Sequence, residues 1–143
     1  MPSPTERAHL IALINGSPDI VDMLRFAFEH AGFRVVNTFT HLIRSGEVDI
    51  ESFMEQHQPQ AIVYDIAPPY ANNWALFRRL CQLPALKDRP VVITSTNPAR
   101  LRELAEIEDH QGICEMVETP YLLAQLIEKV REAIGRNRLT PLP

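Results

Sequence analysis

Residues 61–80 read Ala61-Ile62-Val63-Tyr64-Asp65-Ile66-Ala67-Pro68-Pro69-Tyr70-Ala71-Asn72-Asn73-Trp74-Ala75-Leu76-Phe77-Arg78-Arg79-Leu80. The run from Ala61 to Tyr64 is apolar, closes on the carboxylate of Asp65 and is too short for a buried helix, so it reads as a buried strand. Pro68-Pro69 and Asn72-Asn73 mark a loop. Trp74, Leu76, Phe77 and Leu80 then open a helix with one apolar face. Strand, loop and helix in that order form the unit from which the rest of the chain is built.

The same unit recurs on both sides. Upstream, His9 to Ile14 is a short apolar run that stops at Asn15-Gly16. Ser17-Pro18 supplies an N-cap and a proline at the first helical position. Ile20, Met23, Leu24, Ala27, Phe28 and Ala31 continue as a helical stripe ended by Gly32, and Phe33 to Val36 reads as a second strand. Asp49 caps a short helix carrying Ile50, Phe53 and Met54, which Gln58-Pro59 ends. Downstream, Pro90 to Ile93 is a fourth strand, followed by Asn97-Pro98 as a second cap-plus-proline device with Leu101, Leu104 and Ala105 behind it. Ile113 to Val117 is the fifth strand. Thr119-Pro120 separates it from a last helix with Leu123, Ile127, Val130 and Ile134 inward.

Strands that are near-continuous apolar runs, alternating with helices, imply a parallel sheet covered on both faces. The expected fold is α/β, a doubly wound five-stranded parallel sheet in order 2-1-3-4-5, with two helices on one face and three on the other. One domain accounts for residues 1–143, with a core of about 9–134 and frayed tails at 1–7 and 136–143. The segment 37–48 is long for a connection, and Phe39, Leu42, Ile43 and Val48 are apolar within it. The expectation is a local helical extension of the core. A contact surface is the alternative, for which Leu42 and Ile43 would lie exposed together.

Of the 143 residues, 45% are hydrophobic and 22% charged, and the net charge is −4. No Lys/Arg cluster is present, which argues against a nucleic-acid partner. No apolar run reaches membrane length, and the opening MPSPTERA has no apolar leader core, so a cytoplasmic location is expected. Cys81 and Cys114 read as small buried hydrophobes. The five histidines show no metal-ligand spacing.

In such sheets ligands bind beyond the carboxyl ends of the strands. The residues there are Asn15-Gly16, Asp65, Ser95-Thr96 and Glu118-Thr119. There is no Walker-type phosphate loop and no G-x-G-x-x-G, and no histidine stands at a strand end. Hydrolase and nicotinamide chemistry are therefore not expected, and the chain is not expected to be an enzyme.

The spacing of these positions resembles the receiver domain of two-component response regulators over roughly residues 9–134. IALINGSPDI (11–20) matches the family's opening strand and turn, where an acidic pair usually stands at what are here Asn15 and Gly16. VYDIAPPYANNWALFRRL (63–80) matches the phosphoacceptor segment, with Asp65 at the phosphorylatable position, Pro69 four residues on and Asn73 in the usual glycine place, where tolerance of positive φ would make an asparagine sensible. In PVVITSTN (90–97) Ser95 aligns with the switch hydroxyl. In CEMVETPYLLAQL (114–126) Thr119 occupies the position of the usual lysine, Pro120 matches the proline after it, and Met116 replaces the switch aromatic.

The resemblance implies a flavodoxin-like receiver fold, a cis bond at Thr119-Pro120, and a phosphorelay signalling role. With Asn15, Gly16 and Thr119 in place of two carboxylates and a lysine, the phosphorylation site is expected to be degenerate. The chain would then be a pseudo-receiver acting mainly by protein–protein interaction. No cofactor is expected, and Mg²⁺, with Asp65 as a weak ligand, enters only under a second reading in which Asp65 is still phosphorylated. A competing reading makes Asp65 a strand-end carboxylate capping backbone amides, and Ser95 a turn hydroxyl. A flavodoxin-like small-ligand binder remains a third reading. Expected partners are a signalling protein such as a histidine kinase, or a second copy through the fourth helix, fifth strand and fifth helix. Arg102, Glu106, Glu115, Gln125, Lys129 and Glu132 should line that mixed-charge face.

Overall fold

The computed structural model describes residues 8–105, 114–119 and 122–139. Five parallel strands, β1 (Leu10–Asn15), β2 (Arg34–Phe39), β3 (Ala61–Asp65), β4 (Val91–Ser95) and β5 (Cys114–Glu118), form one sheet in the order β2-β1-β3-β4-β5. The helices are α1 (Pro18–His30), α2 (Thr40–Ser45), α3 (Ile50–His57), α4 (Tyr70–Cys81), α5 (Pro84–Lys87), α6 (Pro98–Ala105) and α7 (Leu123–Leu139). The expected doubly wound sheet and its strand order are both present.

Alternation along the strands splits the core in two. Ile11, Leu13, Val35, Val63 and Val92 meet Val21, Leu24 and Phe28 of α1 and Leu126, Val130 and Ala133 of α7. Ala12, Ile14, Ile62, Tyr64 and Ile93 meet Ile50 and Met54 of α3, Trp74, Phe77 and Leu80 of α4, and Leu101 of α6. Two helices thus cover one face and three the other, with the short α2 and α5 added to the second.

The caps behave as their chemistry requires. Ser17 Oγ accepts from the Ile20 amide at 3.3 Å, with Pro18 at the first helical position, and Asn97 Oδ1 accepts from the Arg100 amide at 3.1 Å. Gly32 follows the end of α1 at φ 98°, a backbone state that costs a side-chain-bearing residue energy. Asp49 stands at the N-cap of α3, but its carboxylate accepts from the Ser52 hydroxyl at 2.7 Å and not from a backbone amide.

Three sequence readings need correction. The helix read as opening at Trp74 begins at Tyr70, so Asn72-Asn73 lies in its first turn and is not loop. The two prolines, joined by a cis bond, bring the chain in, and the Asn73 amide makes the i→i−4 bond to Pro69 O at 3.1 Å. Asn73 is therefore helical, and the positive-φ reason for an asparagine there does not apply; among the described residues the non-glycine positive φ is that of Gln58, at 52°. The tail read as fraying from 136 instead carries α7 on to Leu139.

Residues 37–48 resolve into the end of β2, then α2 and a left-handed Gly46 at φ 83°. The helical extension is found. Leu42 and Ile43 are both half-buried, Ile43 packing against the core, so neither joint exposure nor full burial holds. The Thr119-Pro120 bond and the side chains of Glu106 and Glu115 lie outside the described residues.

Candidate functional site

Parallel pairing brings the strand ends to one edge. Asp65 lies in register with Thr94, and Ser95 with Glu118. Asp65 shares its sheet face with Val63, as Thr94 does with Val92, while Ser95 points to the opposite face with Ile93. The consequence is direct: Thr94 Oγ1 donates to Asp65 Oδ1 at 2.7 Å. Ser95 Oγ accepts instead from the Asn97 amide at 3.1 Å, closing the turn into α6.

The remaining positions are occupied by neutral groups. Asn15 is buried, and its Oδ1 accepts from the Ser17 amide at 3.0 Å, which folds the turn after β1 over the sheet edge. Gly16 is exposed and offers no side chain. Thr119 is half-buried, and its amide donates to Ser95 O at 2.7 Å, extending the β4–β5 ladder by one bond. Met116 is half-buried against the α3–α4–α6 side of the core.

The loops that follow Asp65 and Ser95 are tied together by side chains, of which sequence reading passed over Tyr70 and Arg44. The Tyr70 hydroxyl bonds the Thr96 hydroxyl, joining the start of α4 to the β4–α6 turn. Asn73 Nδ2 donates to Ala67 O at 2.6 Å, and Asn73 Oδ1 accepts from Arg44 Nη2 of α2 at 2.5 Å. Segment 37–48 is thereby linked to the loop that follows Asp65. The available signal for Thr94 was register: a hydroxyl one residue before Ser95 faces the same side of the sheet as Asp65. Tyr70, read as loop, carried no comparable signal.

Burial holds the Asp65 carboxyl above the usual carboxylate range, opposed only in part by the Thr94 hydroxyl. A carboxyl raised in the native state binds its proton more tightly there than in the unfolded chain. Its contribution to stability is present below the unfolded value and is lost as pH rises through the native one. Asp65→Asn keeps an oxygen for Thr94 and removes the charge. The variant should therefore melt higher than the natural chain at neutral pH, with the gap closing as the pH falls through the carboxylate range. Calorimetry at neutral and acid pH reads this, and equal melting at neutral pH would contradict it.

Elsewhere Cys81 carries a free, half-buried thiol that burial pushes up to about 11, so it is an inert packing group. Among the described residues no group of three or more His, Cys, Asp or Glu is placed to hold a metal ion, and no helix is long and apolar enough to cross a membrane.

No protein-family model and no curated protein matches the chain. Solved structures do match. The signal receiver domain of a signal transduction histidine kinase from Syntrophus aciditrophicus superposes with a TM-score of 0.70 at 20% identity, covering 95% of this chain and 97% of that one. The receiver domain of a sensor histidine kinase from Pseudomonas aeruginosa gives 0.67 at 16% identity, covering 90% and 98%. A response regulator receiver protein from Sinorhizobium medicae gives 0.64 at 21% identity, covering 91% and 97%. The strand order, the Asp65 strand end and these superpositions agree: the chain has the fold of the response regulator receiver domains.

Proposed function

We propose that this protein is a receiver-like signal-transduction module, cytoplasmic and not an enzyme, that works mainly through protein–protein contact, with its phosphorylation site degenerate. The observation that carries this reading is the state of Asp65. Among Asn15, Gly16, Asp65, Ser95 and Thr119 it is the only carboxylate, and one of its oxygens already accepts from Thr94.

Such a donor set does not fit Mg²⁺, which takes hard oxygen ligands in near-ideal octahedral geometry. The Pseudomonas aeruginosa receiver domain is described with a magnesium ion in its active site cleft. Here Asn15 Oδ1 is engaged by the Ser17 amide and Gly16 has nothing to offer. Two missing carboxylates forgo roughly 4 kcal/mol of charge–cation attraction each at ~4 Å and an effective dielectric of ~20, before desolvation. Thr119 can donate only a neutral hydrogen bond where a cation would meet phosphoryl charge. The Tyr70–Thr96 contact further ties the loops that follow Asp65 and Ser95.

Partner contact is assigned to the face formed by α6, β5 and α7, with a histidine kinase or a second copy as occupant. Arg102, Gln125 and Glu132 are exposed there and Lys129 is half-buried. Lys129–Glu132 at 3.8 Å and Arg131–Glu128 at 3.5 Å pair along α7. Exposed pairs of this kind set register more than affinity.

Intact-mass measurement after incubation with Mg²⁺ and a small phosphodonor tests the reading. The mass should not change, and Asp65→Asn should bind partners as the natural chain does. Stoichiometric, Mg²⁺-dependent labelling that vanishes in Asp65→Asn would falsify it.

A further inference from the structure

Helix α1 buries Val21, Leu24 and Phe28 against the sheet, and on another flank it leaves apolar side chains in solvent. Phe26 is 73% exposed, Met23 42% and Ile20 37%. Isolated exposed apolar residues need no explanation, but these have an order. Asp19, Met23, Phe26 and His30 follow one another at steps of four, three and four residues, the spacing of a single seam along a helix. The middle of that seam is apolar and its ends are polar and of opposite character, Asp19 at the start and His30 at the end. Ile20 and Ala27 border it on one side, Asp22 and Glu29 on the other. Phe26 stacks on His30, with ring centroids 6.1 Å apart and planes 9° from parallel.

We propose that this seam is a self-association surface, on which α1 of a second copy packs antiparallel across a two-fold axis. Antiparallel pairing sets Met23 of one copy against Phe26 of the other, twice, and Asp19 against the second copy's His30, twice. A parallel arrangement would set Asp19 against Asp19. The seam therefore selects its own reversed copy by shape and by keeping the two Asp19 carboxylates apart. Opposed helix dipoles favour the same orientation. The contact closes on the Ile20 and Ala27 side. On the other side Asp22 and Glu29 remain at a solvated rim, where salt screens their repulsion. Arg25 takes no part, because its guanidinium is held by Val35 O at 3.0 and 3.1 Å beside β2. One helix face per copy is a small interface, so the dimer should be weak, half-formed at about 0.1 mM chain.

Sedimentation equilibrium up to about 1 mM protein tests this. The natural chain should approach the mass of two copies. Phe26→Asp should stay at the mass of one, its dissociation constant raised about 100-fold or more, with an unchanged thermal melt because Phe26 lies outside the core. Asp19→Lys should weaken the dimer and His30→Lys tighten it, each by about threefold or more, and Asp19→Lys combined with His30→Glu should recover the natural affinity. A natural chain that stays monomeric at 1 mM overturns the proposal. So does a Phe26→Asp chain that dimerises normally, a charge swap without recovery, or a dimer abolished instead by Lys129→Glu on the α6–β5–α7 face.

Discussion

A chain carrying Asn15→Asp, Gly16→Asp and Thr119→Lys together should take up one phosphoryl group at Asp65 from a small phosphodonor when Mg²⁺ is present, where the natural chain should take up none. The backbone is already suited to these side chains. A Cβ built on Gly16 meets no heavy atom within 4 Å, and Gly16 does not sit at positive φ. Aspartate at 15 keeps the oxygen that accepts from the Ser17 amide. The Thr119 tie to Ser95 O is made by the backbone, so lysine can replace its side chain without loosening the ladder. Even if solvent and desolvation leave only about 1 kcal/mol per new carboxylate, Mg²⁺ affinity rises about 30-fold. Lysine adds the cation that the transferring group requires. Intact mass and Mg²⁺ titration followed by Trp74 emission measure the two halves of the result, and Asp65→Asn in the same background should remove the label. A triple variant that binds Mg²⁺ and is still not labelled would mean that the tied loops after Asp65 and Ser95, and not the missing neighbours of Asp65, silence the site. Adding Tyr70→Phe would then release it.

Phe77→Ala should lower stability by about 3–5 kcal/mol, a large share of the roughly 5–15 kcal/mol that holds a domain of this kind together. Phe77 is buried at the centre of the α3–α4–α6 side, its ring 4.8 Å from that of Tyr64 and 5.5 Å from that of Trp74. Truncation removes the transfer energy of the ring and leaves a cavity that β3 cannot fill, since its strand is paired on both sides. The Tyr64 hydroxyl is already buried without a hydrogen-bond partner among the described residues, so the void would border a phenol with little to gain from relaxing. The melting temperature should fall by about 10 °C or more. Trp74, the chain's one tryptophan and itself buried, reports the transition by fluorescence. Arg79→Ala, two residues on and exposed, should change stability by about 0.5 kcal/mol at most. A Phe77→Ala chain as stable as Arg79→Ala would show that this half of the core is not where the fold is held.

The amino-acid sequence by itself determined the sheet and its coverage. Runs such as Leu10–Ile14 and Ala61–Tyr64 are apolar at every position because both faces of their strands are buried, and that pattern is written in consecutive residues. The caps at Ser17-Pro18 and Asn97-Pro98 are equally local, a side-chain oxygen reaching an amide three residues on. The strand-end positions Asn15, Asp65, Ser95 and Thr119 could be placed on one edge from alternation alone.

Other features needed the tertiary structure. Residues 70–73 look like loop in sequence, and become helix because Asn73 is held from two sides, by Ala67 O and by Arg44 of a distant segment. The partner of Asp65 is Thr94 and not Ser95, since a one-residue step along a strand reverses the face and only the β3–β4 register says which residue stands opposite. The exposed seam on α1 follows the same division. Its helical spacing is in the sequence, but Ile20 and Met23 were placed there on one stripe with Leu24 and Phe28. Only the packed sheet shows which side of the helix it covers, because one helix can turn only one side to a sheet and the choice is made by contact.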